Sequence, residues 1–325
     1  MSELVDTFYT ARNLLYLGAY SQALANLSAL THLDSDQELE KQALQYRAYI
    51  GQKKYAKVLD ELPTTTSSSP PLLQALRLLA QSLADQQQQK QQNNDSGKVV
   101  VEEVEKLVSA PNNTSLTDPT FAVVAAQVLA NAGGSEQQES ALKMLAAHPR
   151  NLECVALTVA VFVRINRADL AQKLMARVRS WSEDSPLAQL AEAWAAINSG
   201  GDDTGGSGKY ADAYYIFDEL AQASSVSTPL LLNARAVAKM HMAQYDEASE
   251  LLQEALLLDP NDPDTLANSL VCASFVGADA AAESGREKYL ALLRDADPAH
   301  PFIRDLDAKS AEFDVLAAKY GKASN

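Results

Sequence analysis

The sequence predicts an all-α fold, a curved solenoid of stacked helix pairs, and three observations predict it. Hydrophobic residues make up 47% of the 325 positions and aromatics only 6%, so Ala, Leu and Val dominate, as in packed helices. Gly and Pro number 13 and 12, few breaks for a chain of this length. Tyrosines then give a ruler: Tyr20 and Tyr55 lie 35 residues apart, and so do Tyr210 and Tyr245. That spacing is the tetratricopeptide period, and with the roughly 33 residues of three polar or Gly-rich segments set aside, at about 34 residues per unit, the chain holds about eight to nine helix pairs. With every unit burying its apolar face on the next, residues 1–325 read as a single domain, a curved superhelix with a concave face.

The units follow in order. In the first, Ala11 is the small residue on the first helix, Tyr20 marks the turn, and Ala23 and Leu27 lie on the second helix. Tyr55 marks the next turn. The cluster TTTSSSPP at 64–71 and the polar run QQQQKQQNNDSGK at 86–98 read as exposed loops. Cys154 to Val163 is an apolar run of ten residues bounded by Glu153 and Arg164; a membrane span needs about 18 or more, so this is a buried helix. Around Ala168, Ala171 and Met175 continue the pattern, and a Gly-rich insertion at 198–208 precedes Tyr210, Ala213 and Phe217. The register is clearest from Leu232 to Pro260. There Ala236 and Ala248 let two helices approach closely, Leu252 and Ala255 extend the buried stripe, and Pro260 ends the second helix. Lys239 stands where the repeat usually carries a large apolar residue, which makes this a divergent member of the class. Asp264 to Phe275 and Ala280 to Arg294 predict a further pair, and a last helix runs from about Pro301 to Tyr320.

Charge and termini exclude several functions. Lys and Arg number 27 against 42 Asp and Glu, a net charge of −15. Such a field repels phosphate backbones and anionic headgroups, so no nucleic acid or direct membrane contact is expected. Cys154 and Cys272 lie apart in apolar runs, which predicts buried thiols and no disulfide framework. Glu3 and Asp6 stand where a signal peptide needs basic residues, so a soluble protein of a reducing compartment is expected.

No chemistry is legible. GGSGK at 205–209 lacks the upstream glycine and following hydroxyl of a phosphate loop, with Asp203 and Tyr210 in those places. DPNDPD at 259–264 lacks the glycine and terminal Glu of a calcium loop and reads as a turn between units. His32, His148, His241 and His300 are isolated, so no metal, cofactor or catalytic residue is assigned. Trp181 and Trp194 are expected to pack in the core or between repeats and not to form a ligand platform.

Longer strings carry a resemblance. LLYLGAYSQAL near the amino terminus, YRAYIGQKKYAKVLDEL at 46–62, LECVALTVAVFVRINRADLA at 152–171 and DAYYIFDELA at 212–221 resemble the epsilon subunit of coatomer. The stretches at 228–271 and 300–320, the second opening HPFI, are similar to that family in order and spacing. The resemblance covers nearly the whole chain, the insertions at 86–98 and 198–208 departing from the compact family pattern. It implies a non-catalytic subunit of the COPI coat, acting in retrograde Golgi-to-ER and intra-Golgi transport. It further implies binding to the carboxy-terminal domain of the alpha subunit through the concave face, contact with other coatomer subunits only indirectly, and a cytoplasmic chain peripheral on Golgi membranes and coated vesicles.

Register alone then nominates the hollow-facing residues: Phe8, Tyr9, Arg12 and Tyr16 in the first unit, Arg47 in the second, Arg164 midway, and Asn233, Val237 and Met240 late on. Aromatic, Arg and Met side chains are favoured interface anchors. The competing role for Phe8, Tyr9 and Tyr16 is to cap the first repeat. The apolar first helix is itself expected to be covered, by a partner or by the carboxy-terminal helix. The rival function is a tetratricopeptide adaptor or co-chaperone binding an acidic peptide tail, which needs a basic hollow; the third is an enzyme on a helical solenoid.

Overall fold

The computed structural model describes residues 6–62, 69–88, 95–109, 117–200, 208–224, 227–276 and 280–320. Among these residues there are seventeen α-helices and no strands. They alternate as first and second members of hairpins: α1 (Tyr9–Tyr16) with α2 (Tyr20–Ala29), α3 (Ser35–Gly51) with α4 (Tyr55–Glu61), α5 (Pro71–Gln88) with α6 (Asp95–Ser109). α7 (Pro119–Ala132) pairs with α8 (Ser135–Ala146), α9 (Leu152–Arg164) with α10 (Ala168–Val178), and α11 (Pro186–Asn198) with α12 (Gly208–Ser224). α13 (Pro229–His241) pairs with α14 (Tyr245–Leu258) and α15 (Pro263–Val276) with α16 (Ala280–Ala296), and α17 (Pro301–Tyr320) follows.

Local chemistry sets these boundaries. The first helices α5, α7, α11, α13, α15 and α17 all open on proline, whose fixed φ suits the first turn and whose missing N–H is not needed there. Asp34, Asp118, Asn151 and Thr228 cap helix starts by accepting backbone N–H groups, Asp34 in a reciprocal box with Gln37. Inside four hairpins the chain reverses through one left-handed residue two places before the second helix: Gly18 at φ 80°, Lys53 at 59°, Asn166 at 58° and Ala243 at 58°. Tyr20, Tyr55 and Tyr245 thus open second helices, which is why their spacing reports the repeat.

Small residues bring the pairs together. Ala11, Ala23, Ala213, Ala236 and Ala248 are all buried, as are Leu27, Ala171, Met175, Phe217, Leu252 and Ala255. A Cβ on Gly51 would lie 2.4 Å from the Tyr20 ring, so only glycine lets the end of α3 cross that ring. α7 is apolar all round and buried all round, because α5, α6, α8 and α9 enclose it.

The array also closes on itself. The first helices α1, α3, α5, α7, α9 and α11 touch in sequence, and α11 touches α1 again. Leu17 is buried among Leu190, Ala193, Phe217 and Leu231 of α11, α12 and α13. Thr228 Oγ1 donates to the Leu17 carbonyl at 2.7 Å. The end of the apolar first helix is therefore covered by the chain's own middle repeats, and not by α17, because the superhelix brings α9, α11 and α13 back to it. α13 to α16 continue the stack past this closure.

The polar loops are shorter than expected. Pro71 already opens α5, α5 runs through Gln86 to Gln88, and α6 begins at Asp95, since glutamine supports a helix as well as most residues do. The Gly-rich insertion likewise starts after α11 ends at Asn198 and is over when α12 begins at Gly208. The remaining parts of the three segments, 63–68, 89–94 and 201–207, lie outside the described residues.

Candidate partner-binding surface

Where α1 and α3 meet α9, the chain carries a buried ionic node. Arg47 Nη1 donates to both Glu153 carboxylate oxygens at 3.0 and 3.1 Å, and the Tyr16 hydroxyl donates to Glu153 Oε1. The Arg47 and Glu153 side chains are each 15% exposed. Burial and then the Glu153 charge push the Tyr16 phenol well above its ordinary range. Burial opposes both charges of the pair, yet the two attract strongly enough that Arg47 is held above its usual value and Glu153 below the usual carboxylate range. Arg12 extends the node outward, donating to Asp6 Oδ2 at 2.6 Å and to Glu40.

Beyond the carboxy-terminal ends of α1 and α3 lies an open cavity of about 920 Å³. One wall is the turn at Gly18–Gln22 and the turn at Gly51–Lys54; the other is α13, the α14–α15 turn and the start of α15. Trp194, Leu230, Val237 and Leu258 line it with apolar surface, and Asn233 and Asn268 with amides. The amides form a ladder: Asn268 Nδ2 donates to Asn233 Oδ1 at 3.0 Å, and Asn233 Nδ2 donates to Asp262 Oδ2 at 3.4 Å and to Thr265. Lys53 Nζ reaches Asp262 Oδ1 at 3.3 Å and ties the two walls.

The nominated residues divide among these places. Asn233 and Val237 line the cavity. Tyr16, Arg47 and Arg12 belong to the ionic node, where Glu153, Asp6 and Glu40 use their polar atoms. Phe8 is 3% exposed, packed with Ala11 and Leu27 of its own repeat and Leu44 of α3, so it is core and not part of the cavity wall. Met240 packs against the cluster of Ala236, Ala248 and Cys272. Tyr9 is exposed at the start of α1, and Arg164 is exposed and donates to Asn131 Oδ1 at 3.1 Å.

Other residues of the surface were not nominated. Asn268 stands 35 residues after Asn233, so the repeat period itself could have found it. Glu153 had a signal too, a carboxylate edging an apolar run. Trp194 packs within its own hairpin, 5.3 Å from the Phe217 ring, and borders the cavity, while Trp181 is 41% exposed. Lys53 and Leu230 had none, because their places depend on closure.

Burial pushes the Cys154 thiol up to about 12, which leaves it unreactive at neutral pH. His241 stacks on Tyr210 at 4.8 Å, and burial lowers its pKa. DPNDPD forms a turn in which Asp262 accepts from the Thr265 N–H at 3.0 Å. Among the described residues, no helix is long and apolar enough to cross a membrane, and no group of three His, Cys, Asp or Glu side chains could hold a metal ion.

Comparison with known proteins is specific. Residues 4–321 match the family described as coatomer epsilon subunit. Coatomer subunit epsilon-1 of Oryza sativa subsp. japonica is 32% identical over 303 residues, covering 92% of this chain and 93% of the relative. Coatomer subunit epsilon-1 of Arabidopsis thaliana is 31% identical over 325 residues, covering 94% of each, and coatomer subunit epsilon of Caenorhabditis elegans is 29% identical over 315 residues, covering 97% and 99%. Among solved structures, the APC/C heterotetramer Cut9–Hcn1 aligns with a TM-score of 0.56 at 15% identity. It covers 91% of this chain and the chain spans about half, 53%, of that one, a likeness of fold alone.

Proposed function

The chain belongs to the coatomer epsilon subunit family, and from that premise we propose that it is a non-catalytic structural subunit of the COPI coat that binds the carboxy-terminal domain of the alpha subunit through its concave face. On this reading it supports retrograde Golgi-to-ER and intra-Golgi transport, works in the cytoplasm, and reaches Golgi and vesicle membranes only through the rest of the coat.

The observation that carries the reading is the cavity at the closure seam. Its volume of about 920 Å³ is at the upper end of the range of ligand sites, and it opens between two sets of turns. Apolar side chains lie beside an amide ladder, the combination that accepts an extended strand or hairpin. Asn amides donate to and accept from a peptide backbone, while Trp194, Leu230 and Val237 take its side chains. A net charge of −15 and an Asp262 neighbour for Lys53 disfavour the rival acidic-tail clamp.

The test is co-expression with the alpha-subunit domain, followed by size-exclusion chromatography and calorimetric titration. A stoichiometric, submicromolar complex is expected. Val237→Asp, on a half-buried residue of the cavity wall, is expected to weaken it at least about tenfold, as loss of a central apolar contact does. Two well-folded proteins that elute apart would overturn the proposal.

A further inference from the structure

α17 is held to the body only at its beginning. Ile303 is buried with Leu266, Ala267 and Leu293, and Arg294 Nη1 donates to Asp307 Oδ2 at 3.1 Å. From residue 304 to residue 320 every side chain is exposed. In a protein most of a helix's stability comes from packing an apolar face. α17 carries such a face: Leu306, Phe313, Leu316 and Tyr320, at helical spacing, are 38%, 69%, 44% and 68% exposed. Projected down the axis, Asp305 and Glu312 flank this stripe on one side, Asp307 and Asp314 on the other. Lys309 projects within the stripe, between Leu316 and Tyr320, and pairs with Asp305 at 2.7 Å.

We propose that this stripe docks an amphipathic helix of another coat chain, one whose own apolar stripe is flanked by Lys and Arg, lying along α17 as a second helix lies along a first. Asp307 is paired with Arg294 and Asp305 with Lys309, which leaves Glu312 and Asp314 as the flanking acids that select the occupant. A second copy of this chain, paired antiparallel about Phe313, would bring Glu312 and Asp314 against the same two acids, and parallel pairing would set each acid beside its twin. An anionic bilayer meets the same repulsion. Four large side chains, at about 150–250 Å² for each aromatic, also fall short of the roughly 800 Å² per partner of a self-sufficient interface. The occupant is therefore anchored elsewhere as well, as a neighbour within a multi-subunit coat is. The inference rests on family membership and not on how the hollow is filled.

The experiment places a benzophenone photo-crosslinker at position 313 of the full chain, incorporates it into the assembled coat, and maps the adduct by mass spectrometry. A parallel preparation carries the crosslinker at position 237 in the hollow. The expected result is an adduct from position 313 to one helical segment with Lys and Arg beside its apolar stripe. Its yield should fall about tenfold at low salt when Glu312→Lys and Asp314→Lys are combined, both sites being exposed and safe for folding. An adduct to a second copy, to lipid or to an acidic-flanked segment would overturn it, and so would no protein adduct from coat that contains the chain. An adduct from 237 without one from 313 removes this inference alone, and the reverse removes only the hollow-binding reading.

Discussion

Arg47 and Glu153 are 106 positions apart in sequence and 3.0 Å apart in space. Each charge is costly to bury, and each is tolerable because the other, with the Tyr16 hydroxyl, satisfies it. Removing one partner leaves an uncompensated charge in the closure between α3 and α9. Glu153→Gln is expected to lower stability at pH 7 by about 3 kcal/mol, read from urea midpoints. The pH dependence gives a second readout. Glu153 has a folded pKa below its unfolded value, so the unfolded chain binds more protons as pH falls. Its contribution is present above about pH 4.3 and is lost as pH drops through the folded value. The gap between wild type and Glu153→Gln should therefore narrow from pH 5 towards pH 3; a gap independent of pH would show that the carboxylate charge is not what the node uses. At this scale the sequence nominated Tyr16 and Arg47 from helical register, but their partner could not be read, because no local pattern links a residue of one repeat with one several repeats later.

The hairpins show which residues the repeat demands and where this chain departs from them. Ala243 occupies a left-handed position at φ 58° on an exposed turn, a conformation that costs an L-residue roughly 1–2 kcal/mol. Ala243→Gly relieves it and gives back part of that in unfolded-state entropy, so a net gain of about 0.5–1 kcal/mol is expected in urea unfolding. Gly18 is the opposite case. Its φ is 80°, and an added Cβ would sit 3.2 Å from Leu230 Cβ, so Gly18→Ala should cost about 2 kcal/mol by combining backbone strain with crowding at the seam. Equal effects at the two positions would refute the assignment of crowding to closure. Helix starts were well marked in sequence by proline and by Asp, Asn or Thr caps. The loops were less so, because a Gln-rich run has the composition of low complexity and the propensity of a helix.

Over the whole molecule, closure makes the first hairpin a structural keystone and not a fraying end. Thr228 is 4% exposed; its Oγ1 donates to the Leu17 carbonyl and accepts from the Leu231 N–H, so it joins the first repeat to the seventh while capping α13. Thr228→Val keeps the shape and removes both bonds, leaving a buried carbonyl unpaired at about 1–3 kcal/mol. Hydrogen exchange in α1 and α2 should quicken well beyond that in α7. A chain lacking residues 1–34 should bind a hydrophobic dye through exposed Leu190, Phe217 and Leu231, where an open solenoid would lose only its cap.

Composition, the 35-residue tyrosine spacing and the small-residue pattern determined, without any coordinates, that this chain is a helical-repeat array, because each hairpin satisfies its backbone and most of its apolar stripe against neighbours in sequence. The strings matching the coatomer epsilon subunit determined its family for the same reason: local packing constrains local sequence. Only the tertiary structure decided that the array closes on itself, that Phe8 is core while Asn233 and Val237 face a cavity, and that α17 is left with an uncovered stripe. Those outcomes depend on the small rotation from each repeat to the next, summed over six hairpins, and a sum of small angles leaves no mark on any single stretch of sequence.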